Sequence, residues 1–259
     1  MILDDLVIAT KQRLAKEKTQ VSLVELQRRS EQLPNRDPQV IINKFLEPKL
    51  HFIGEIKKSS PSKGNIVKDF PYMEIAQEYQ IAQIDAISVL TEPTYFQGKI
   101  DYLNEISKTV SIPLLRKDFT IDPYMIYQAK IAGASMILLI VAILDDEQLF
   151  AYLKLAQQLG LAALVEVHNE SELQRALDAD AKIIGVNNRN LKDFTVDINN
   201  SLNLRSLVPK EIPFITESGI KTTADIKRLK QAQINGVLIG ETFMKAPDRV
   251  KIIREFQSV

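Results

Sequence analysis

Two charged side chains close the first apolar run of the chain, and both point to the same side of it. Side chains of a strand alternate between its two faces, so Glu55 and Lys57 share a face with Ile53, while Ile56 takes the other face. A carboxylate and an ammonium on a packed face are costly unless they face each other or a water-filled site. The pattern therefore indicates either a pocket with proton-transferring groups or a purely structural ion pair.

The same arrangement recurs on a later apolar run. In the run 114–119 the side chains of Leu115, Lys117 and Phe119 share one face. Arg116 and Asp118 take the other face, where we expect a salt bridge directed toward the covering helices. Lys117 is thus a second candidate for a polar group at the end of a buried strand.

Three further runs end in polar residues that are in phase with apolar ones. Glu166 is in phase with Leu164 and stands between two valines, which makes it hard to explain as a solvated residue. Asn187 and Arg189 end another run, although Asn187 could instead satisfy a turn. Glu217 ends the run 212–217. Because strand ends of this kind converge in barrel enzymes, their coincidence predicts one shared polar pocket.

Eight short apolar runs rich in Ile, Leu and Val are predicted to be strands, and amphipathic stretches with helical spacing, such as 145–160 and 169–180, separate them. Strands that alternate with helices predict a parallel sheet covered by helices, and eight such units predict an α/β fold of the (β/α)8 TIM-barrel type. A doubly wound open sheet is the alternative, but the G-x-G-x-x-G turn expected there does not occur. The predicted strands are 50–56, 84–90, 112–116, 136–141, 162–167, 182–187, 212–217 and 235–239.

Residues 1–48 precede the first strand and are predicted to be a helical N-terminal extension of a single domain, 1–259. Ser22 with Glu25 resembles a capping box, and Asp37 before Pro38 is typical of a helix start. The extra helices could cap the barrel bottom or rim, or part of them could border the active site.

Composition limits the classes of function. The chain has 33 basic and 33 acidic residues, so no net field recruits nucleic acid or an anionic membrane. It has no cysteine, which excludes disulfides, thiolate metal sites and a cysteine nucleophile. His168 is interpreted as a loop residue and His51 as the start of a strand at the opposite end, so no metal set is recognised. Without an apolar signal segment or membrane span, a cytoplasmic protein is expected.

Two short glycine-containing turns follow the last two predicted strands, 217–221 and 240–243. Barrels often bind a phosphate between these two loops, where glycines let backbone N–H groups approach an anion. Either glycine alone would be turn chemistry, but Gly219 and Gly240 at paired positions favour a phosphate site. The loop 58–63, with three serines and two lysines, could close over the same anion as a lid.

Taken together, these motifs resemble the indole-3-glycerol phosphate synthase family, from about residue 50 to the end, and the helical extension is also similar. Several ordered motifs at matching strand ends form a specific signal, whereas each one alone is weak. The matching segments are EIKKSSPS (55–62), SVLTE (88–92), YFQG (95–98), LRKDF (115–119), Glu166, GVNNR (185–189), ESG (217–219) and LIG (238–240).

The resemblance implies ring closure of 1-(2-carboxyphenylamino)-1-deoxyribulose 5-phosphate to indole-3-glycerol phosphate, carbon dioxide and water. Lys117 matches the position of the acid that protonates the ketone oxygen. Lys57 and Glu166 match the acid and base of the later steps, with their division left open, and Glu55 would orient Lys57.

The resemblance also implies the binding residues. Asn187 and Glu217 would hold substrate hydroxyls or Glu166, and Arg189 with Lys57 would offset the substrate carboxylate. Positions that match substrate-binding or phosphate-binding residues of the family are Ser60, Phe96, Phe119, Leu238, Ser218, Gly219, Gly240 and Glu241. At Glu241 we expect the backbone N–H to contact the phosphate and the side chain to turn away, because a carboxylate would repel it.

Two other functions remain open at this point. Another phosphate-binding barrel such as phosphoribosylanthranilate isomerase shares the last two loops, but its resemblance would imply a cysteine base. A non-catalytic barrel that binds small anions would leave Glu166 and Lys117 unexplained. The preferred interpretation implies a phosphorylated aromatic substrate, no metal or organic cofactor, no nucleic-acid or membrane partner, and a monomer.

Overall fold

The predicted barrel is present in the structure, a computed structural model that describes residues 2–67, 69–190 and 193–259. Met1, Lys68, Leu191 and Lys192 lie outside the described residues, and Met1 belongs to the predicted extension 1–48. All eight predicted runs form strands of one closed parallel barrel, and the doubly wound alternative is therefore wrong. The barrel strands are β1 (His51–Ile56), β2 (Ala86–Leu90), β3 (Leu114–Lys117), β4 (Met136–Ile140), β5 (Ala162–Val167), β6 (Ile184–Asn187), β7 (Phe214–Glu217) and β8 (Gly236–Ile239).

Each strand pairs with its sequence neighbours, and β1 closes the ring by pairing with both β2 and β8. After β1 the chain forms a small antiparallel ribbon, Ser59–Ser60 with Gly64–Asn65. A short 3-10 turn, Val141–Ile143, follows β4. The helices are α1 (Ile2–Gln20), α2 (Leu23–Glu31), α3 (Gln39–Leu46), α4 (Tyr72–Ile81), α5 (Ile100–Ser107), α6 (Pro123–Ile131), α7 (Asp146–Gln158), α8 (Glu170–Asp178), α9 (Asn199–Arg205), α10 (Thr223–Gln231), α11 (Glu241–Met244) and α12 (Arg249–Gln257).

Local signals place several helix ends. The Thr222 and Asp225 side chains form a reciprocal capping box at the start of α10, and Asn169 accepts a hydrogen bond from the Glu172 N–H at the start of α8. Gly160 has φ +74° just after α7, a conformation in which a β-carbon is strained. Helix α3 begins at Gln39, one residue later than the Asp-Pro pair predicts.

The period-2 pattern separates two apolar layers. Outward-facing strand residues pack against the helices, and inward-facing residues fill the barrel below the polar strand ends. Helix α3 closes the lower end, because Ile41, Ile42 and Phe45 belong to this inner cluster. The extension thus serves in part as the predicted cap.

Candidate active site

The candidate residues converge on one cavity of about 630 Å³ at the carboxyl ends of the strands. They meet there because side chains alternate along each strand. A polar residue two positions after an inner-core residue such as Ile53, Leu115 or Leu164 also points into the barrel. The structure places every candidate on the wall of this cavity. They are Glu55, Lys57, Ser60, Phe96, Lys117, Phe119, Glu166, Asn187, Arg189, Glu217, Ser218, Gly219, Leu238, Gly240 and Glu241.

Lys117 extends from the end of β3 to the centre of the polar wall. Its Nζ lies 2.9 Å from Glu166 Oε2 and 3.2 Å from Glu217 Oε2. Burial favours the neutral amine, but the carboxylates of Glu166, Glu217 and Glu55 outweigh it and raise the pKa of Lys117 above its usual range. Lys117 is therefore an ammonium that can donate a hydrogen bond to a substrate oxygen.

Glu55 and Lys57, at the end of β1, form a second ion pair on the same wall. The Glu55 side chain is 5% exposed and that of Lys57 is 18% exposed, so the lysine is the member nearer to the open cavity. The members of the pair therefore contact each other and also line the cavity.

Glu166, at the end of β5, is a cavity carboxylate with three cationic or donor partners. Besides Lys117, it accepts a hydrogen bond from Asn187 Nδ2 at 3.3 Å, and its Oε1 lies 3.3 Å from His168 Nε2. Burial opposes its charge, yet Lys117 and His168 together hold the pKa of Glu166 well below its usual range. Glu166 is therefore ionised before substrate binds, as a general base must be.

Glu217, at the end of β7, has the opposite tendency. Burial and the adjacent Glu166 charge raise the pKa of Glu217 above its usual range, although Lys117 opposes the shift. A β-carbon on Gly185 would stand 2.7 Å from Glu217 Oε1, so the glycine of β6 provides the space that this carboxyl group occupies. Two carboxyl groups around one lysine thus have pKa values pushed apart, an arrangement typical of acid–base sites.

His168 is the residue whose environment the sequence analysis missed. It lies in the turn after β5, but its ring is largely buried between Glu166 and Glu172 rather than in solvent. The available signal was the i, i+2 spacing of Glu166 and His168, which continues the strand alternation by one more residue. Burial opposes the charge of His168, but the two carboxylates outweigh it and raise its pKa to about 10.

An aromatic wall lies on one side of the cavity. The rings of Phe96 and Phe119 are tilted by 39° with their centroids 6.1 Å apart. The buried Glu92 carboxylate holds the loop before Phe96 by accepting hydrogen bonds from the N–H groups of Thr94, Tyr95 and Phe96 at 2.7–3.0 Å. This wall provides an apolar surface for a flat ring.

The opposite side is made by the turns after β7 and β8. Ser218 and Gly219 both adopt positive φ, at +67° and +87°, which turns the backbone sharply at the cavity wall. Asn188 Nδ2 holds the Ser218 carbonyl at 3.1 Å, and Thr242 Oγ1 ties the two turns together by donating to the Ile220 carbonyl at 2.8 Å. Three further lysines line the cavity, namely Lys63, Lys221 and Lys245.

The Glu241 side chain is bound within its own helix. Its Oε1 accepts a hydrogen bond from Lys245 Nζ at 2.7 Å. Arg189, in contrast, contacts the backbone: its Nη1 donates to the Phe194 carbonyl at 3.2 Å, and its N–H donates to Asn187 Oδ1 at 3.0 Å. Its guanidinium lies on the cavity wall, where it can meet an anionic group.

Helix α1 also reaches the cavity, which the sequence analysis left as one of two possibilities. Leu6 lines the cavity, and Arg13 Nη2 binds both oxygens of Asp118 at 2.9 and 3.0 Å. Asp118 also pairs with Arg116 at 3.1 Å on the outer face of β3, as the strand phase predicts. No local pattern identifies Arg13, because its partner is distant in sequence.

Within the described ranges, no group of three or more His, Asp or Glu side chains is arranged to hold a metal ion. Across the same part of the chain, every helix is too short or too polar to cross a membrane.

Fold and site define a (β/α)8-barrel protein with buried acid–base groups, an aromatic wall and an opposing pair of glycine-containing turns. Solved structures agree on the fold: a 3-hexulose-6-phosphate synthase superposes with a TM-score of 0.65 at 18% identity, covering 81% of this chain and 99% of that one. A second such synthase, from Salmonella typhimurium, gives 0.66 at 14% identity, covering 81% of this chain and 97% of that one. At such low identity the likeness concerns the fold alone.

The sequence comparisons are more specific. The family model for indole-3-glycerol phosphate synthase matches residues 3–256. Curated proteins named indole-3-glycerol phosphate synthase are 55% identical in Lacticaseibacillus paracasei and 56% identical in Lacticaseibacillus casei, each over 99% of both chains. One from Lachnoclostridium phytofermentans is 50% identical over the whole of both chains. The chain belongs to the indole-3-glycerol phosphate synthase family.

Proposed function

We propose that the protein is a carboxy-lyase of tryptophan biosynthesis that converts 1-(2-carboxyphenylamino)-1-deoxyribulose 5-phosphate to indole-3-glycerol phosphate, carbon dioxide and water. Family membership over nearly the full chain supports this activity. The observation that carries the mechanism is the position of Lys117, an ammonium held between two carboxylates in a cavity with one aromatic and one glycine-containing side.

The two ends of the substrate differ in the same way as the two sides of the cavity. The aryl ring packs against Phe96, Phe119 and Leu238, and the phosphate lies at the turns after β7 and β8. There it is bound by Ser60, by Ser218 and by the backbone N–H groups of Gly219, Gly240 and Glu241. The bond of Glu241 to Lys245 supports this assignment, since it directs the repelling carboxylate along its own helix.

Ring closure requires the carboxylated aryl carbon to attack the ketone carbon. Lys117 donates a proton to the ketone oxygen as the new C–C bond forms, and Arg189 with Lys57 offsets the charge of the carboxylate before it leaves as carbon dioxide. Holding the ring against the ketone lowers the entropic part of the barrier. The carboxylates around Lys117 keep it protonated until substrate arrives.

The remaining steps remove water and make the indole aromatic. One group protonates the departing hydroxyl and another accepts a ring proton, and Lys57 and Glu166 carry these two roles. Glu55 orients Lys57, while Asn187 and Glu217 hold Glu166 and the substrate hydroxyls. Glu166 suits the base role because its pKa lies well below the usual range, so it is ionised at neutral pH.

The proposal is tested by indole fluorescence during turnover of the carboxyphenylamino substrate, with wild type and Lys117→Ala. Removing a general acid lowers rate by about 10²- to 10⁴-fold, so we expect a loss of at least that size. The matched control is Lys130→Ala, which removes a largely buried lysine on α6 outside the cavity. Activity that survives in Lys117→Ala would move the acid to Lys57, and no product from folded wild type would contradict the proposed reaction.

We also propose that the protein acts as a cytoplasmic monomer on small molecules alone. Balanced charge supports the lack of a nucleic-acid partner. Large exposed apolar side chains lie on different helices, such as Val24 on α2, Ile81 on α4 and Phe150 on α7, which supports a monomer. Sedimentation equilibrium at micromolar concentration would contradict this proposal if it gave a dimer mass.

A further inference from the structure

A short chain of polar groups leads from the cavity into the outer layer of the barrel. His168 Nε2 lies 3.3 Å from Glu166 Oε1, and His168 Nδ1 lies 3.0 Å from Glu172 Oε2 on α8. Glu172 is itself fixed, because it accepts hydrogen bonds from the His168 N–H at 2.8 Å and from Asn169 Nδ2 at 2.8 Å. The imidazole therefore joins two carboxylates, of which only Glu166 faces the cavity.

The partners of the ring define its protons. A carboxylate without a proton only accepts, so Glu172 requires a hydrogen on Nδ1. An ionised Glu166 likewise favours a hydrogen on Nε2, although the contact between Nε2 and Glu166 Oε1 is not aligned as a hydrogen bond. The ring can be either an imidazolium between two carboxylates, or a neutral imidazole next to a protonated Glu166.

The groups around Glu166 favour the state in which His168 is an imidazolium between two ionised carboxylates. Lys117 Nζ and Asn187 Nδ2 both donate to its carboxylate, which stabilises the ionised form. The charged groups that face this cluster are Glu166 from β5, Glu172 from α8, Lys117 from β3 and Glu217 from β7. Two cations of this cluster, Lys117 and His168, thus lie among carboxylates, and both contact Glu166.

We propose that His168 is a positioning residue for Glu166: as an imidazolium anchored by Glu172, it holds the Glu166 carboxylate ionised and directed into the cavity. The backbone of His168 is fixed as well, because Asn200 Nδ2 on α9 donates to the His168 carbonyl at 3.1 Å. Histidine placed between a fixed carboxylate and a working group is a common way to orient the latter. This inference rests on the proposed function, since it assigns Glu166 a proton to accept.

The first test is a titration followed by NMR, which does not depend on activity. The chain contains two histidines, so His168→Gln assigns both ring signals. We expect the His168 ring to stay protonated to above pH 8 in wild type and to titrate at lower pH in Glu166→Gln and in Glu172→Gln. Titration of the wild-type ring near the ordinary value of about 6.5 would overturn the proposal.

The second test is the pH profile of kcat for wild type, His168→Gln and Glu172→Gln. Loss of such a supporting contact typically lowers activity about 10- to 100-fold, and we expect the acidic limb of the profile to move up by about one pH unit in both variants. The matched control is His51→Gln, which changes the other buried histidine at the far end of β1 and should leave the limb in place.

The outcomes separate the inference from the proposed function. If His168→Gln and Glu172→Gln are both active and the acidic limb of their kcat profiles does not move, the positioning role is overturned even if the proposed reaction is correct. An inactive wild type would contradict the reaction, while the NMR titration would still decide whether His168 is held charged by Glu166. If His168→Gln does not fold, Glu172→Gln alone decides the profile, because it keeps the ring and removes its anchor.

Discussion

At the residue scale, Gly240 determines whether the Glu55–Lys57 pair fits beside the phosphate turn. A β-carbon at this position would overlap Glu55 Oε2 and stand 3.1 Å from Lys57 Nζ. The missing side chain is therefore a requirement of the neighbouring strand β1, in addition to any contact that the backbone makes with substrate.

We expect Gly240→Ala to lower kcat/KM by about 10- to 100-fold, because displacing a reacting group by about 1 Å has effects of this size. Steady-state kinetics would measure it. The control is Gly236→Ala at the other end of β8, where the new carbon would stand 2.7 Å from the end of the Ile215 side chain and 3.4 Å or more from His51. A similar loss of activity in both variants would indicate general distortion of β8 rather than displacement of the pair.

At the element scale, Asp85 joins the lower ends of β1 and β2. Its carboxylate accepts hydrogen bonds from the Phe52 N–H and from Lys49 Nζ, each at 3.0 Å, and lies 3.1 Å from His51 Nδ1. Burial opposes its charge, but these partners outweigh it and hold the pKa of Asp85 below its usual range. Polar groups at this end of a barrel serve stability, since the reacting groups lie at the other.

Asp85→Asn should lower the free energy of unfolding by about 3–5 kcal/mol at pH 7, the usual cost of breaking a buried charged network. A carboxylate with a depressed folded-state pKa stabilises above its unfolded pKa of about 3.9 and loses that effect as pH falls below it. The difference in unfolding free energy between the variant and wild type should therefore shrink at pH values below about 3.9. Urea unfolding at about pH 7 and about pH 3 measures this difference.

The control for Asp85→Asn is Asp101→Asn, an exposed acidic residue in the first turn of α5. It should cost less than about 1 kcal/mol, as expected for a screened interaction with a helix end. A cost of similar size at both positions would contradict the structural role of Asp85. The kcat of folded Asp85→Asn should stay within about twofold of wild type, because the residue lies outside the cavity.

At the scale of the whole molecule, the two ends of the barrel should respond to pH with opposite sign. The pKa of Glu217 at the upper end is raised by burial and by the Glu166 charge. The folded protein then binds this proton more tightly than the unfolded chain does. Stability attributable to Glu217 is therefore present at low pH and is lost as pH rises through its folded-state pKa.

Glu217→Gln should accordingly gain stability relative to wild type between pH 5 and pH 8, on the order of 1 kcal/mol, while losing activity. Thermal unfolding of both proteins across this range provides the measurement. The control is Glu211→Gln in the loop before β7. It removes one exposed carboxylate and so measures the effect of the change in net charge alone. A constant difference between Glu217→Gln and wild type would contradict the assigned protonation.

Much of this architecture follows from local sequence pattern. Strand β5 has the predicted bounds 162–167, and the other seven strands differ from prediction by at most a few residues at their ends. The face on which each strand residue lies was predictable, because alternation is a property of each strand alone. Glu166 must share a face with Leu164 wherever the strand lies. Eight alternating units then determined the barrel.

The contacts that the pattern could not predict are those between residues far apart in the chain. His168 lies close in sequence to Glu166 and Glu172, but its backbone is also bound by Asn200 on α9, 32 residues away. Arg13 meets Asp118 across 105 positions, and Leu6 reaches the cavity only because α1 lies beside the rim. Such contacts follow from how the layers close on one another.

The amino-acid sequence by itself determined which residues alternate, which turns hold glycine and which strand ends are polar, because these depend on bonds and neighbours within a few residues. Only the tertiary structure decided that α3 closes the barrel below, that α1 borders the cavity above, and that His168 lies between Glu166 and Glu172. The physical reason is that charge and burial at a site are sums over every element packed around it.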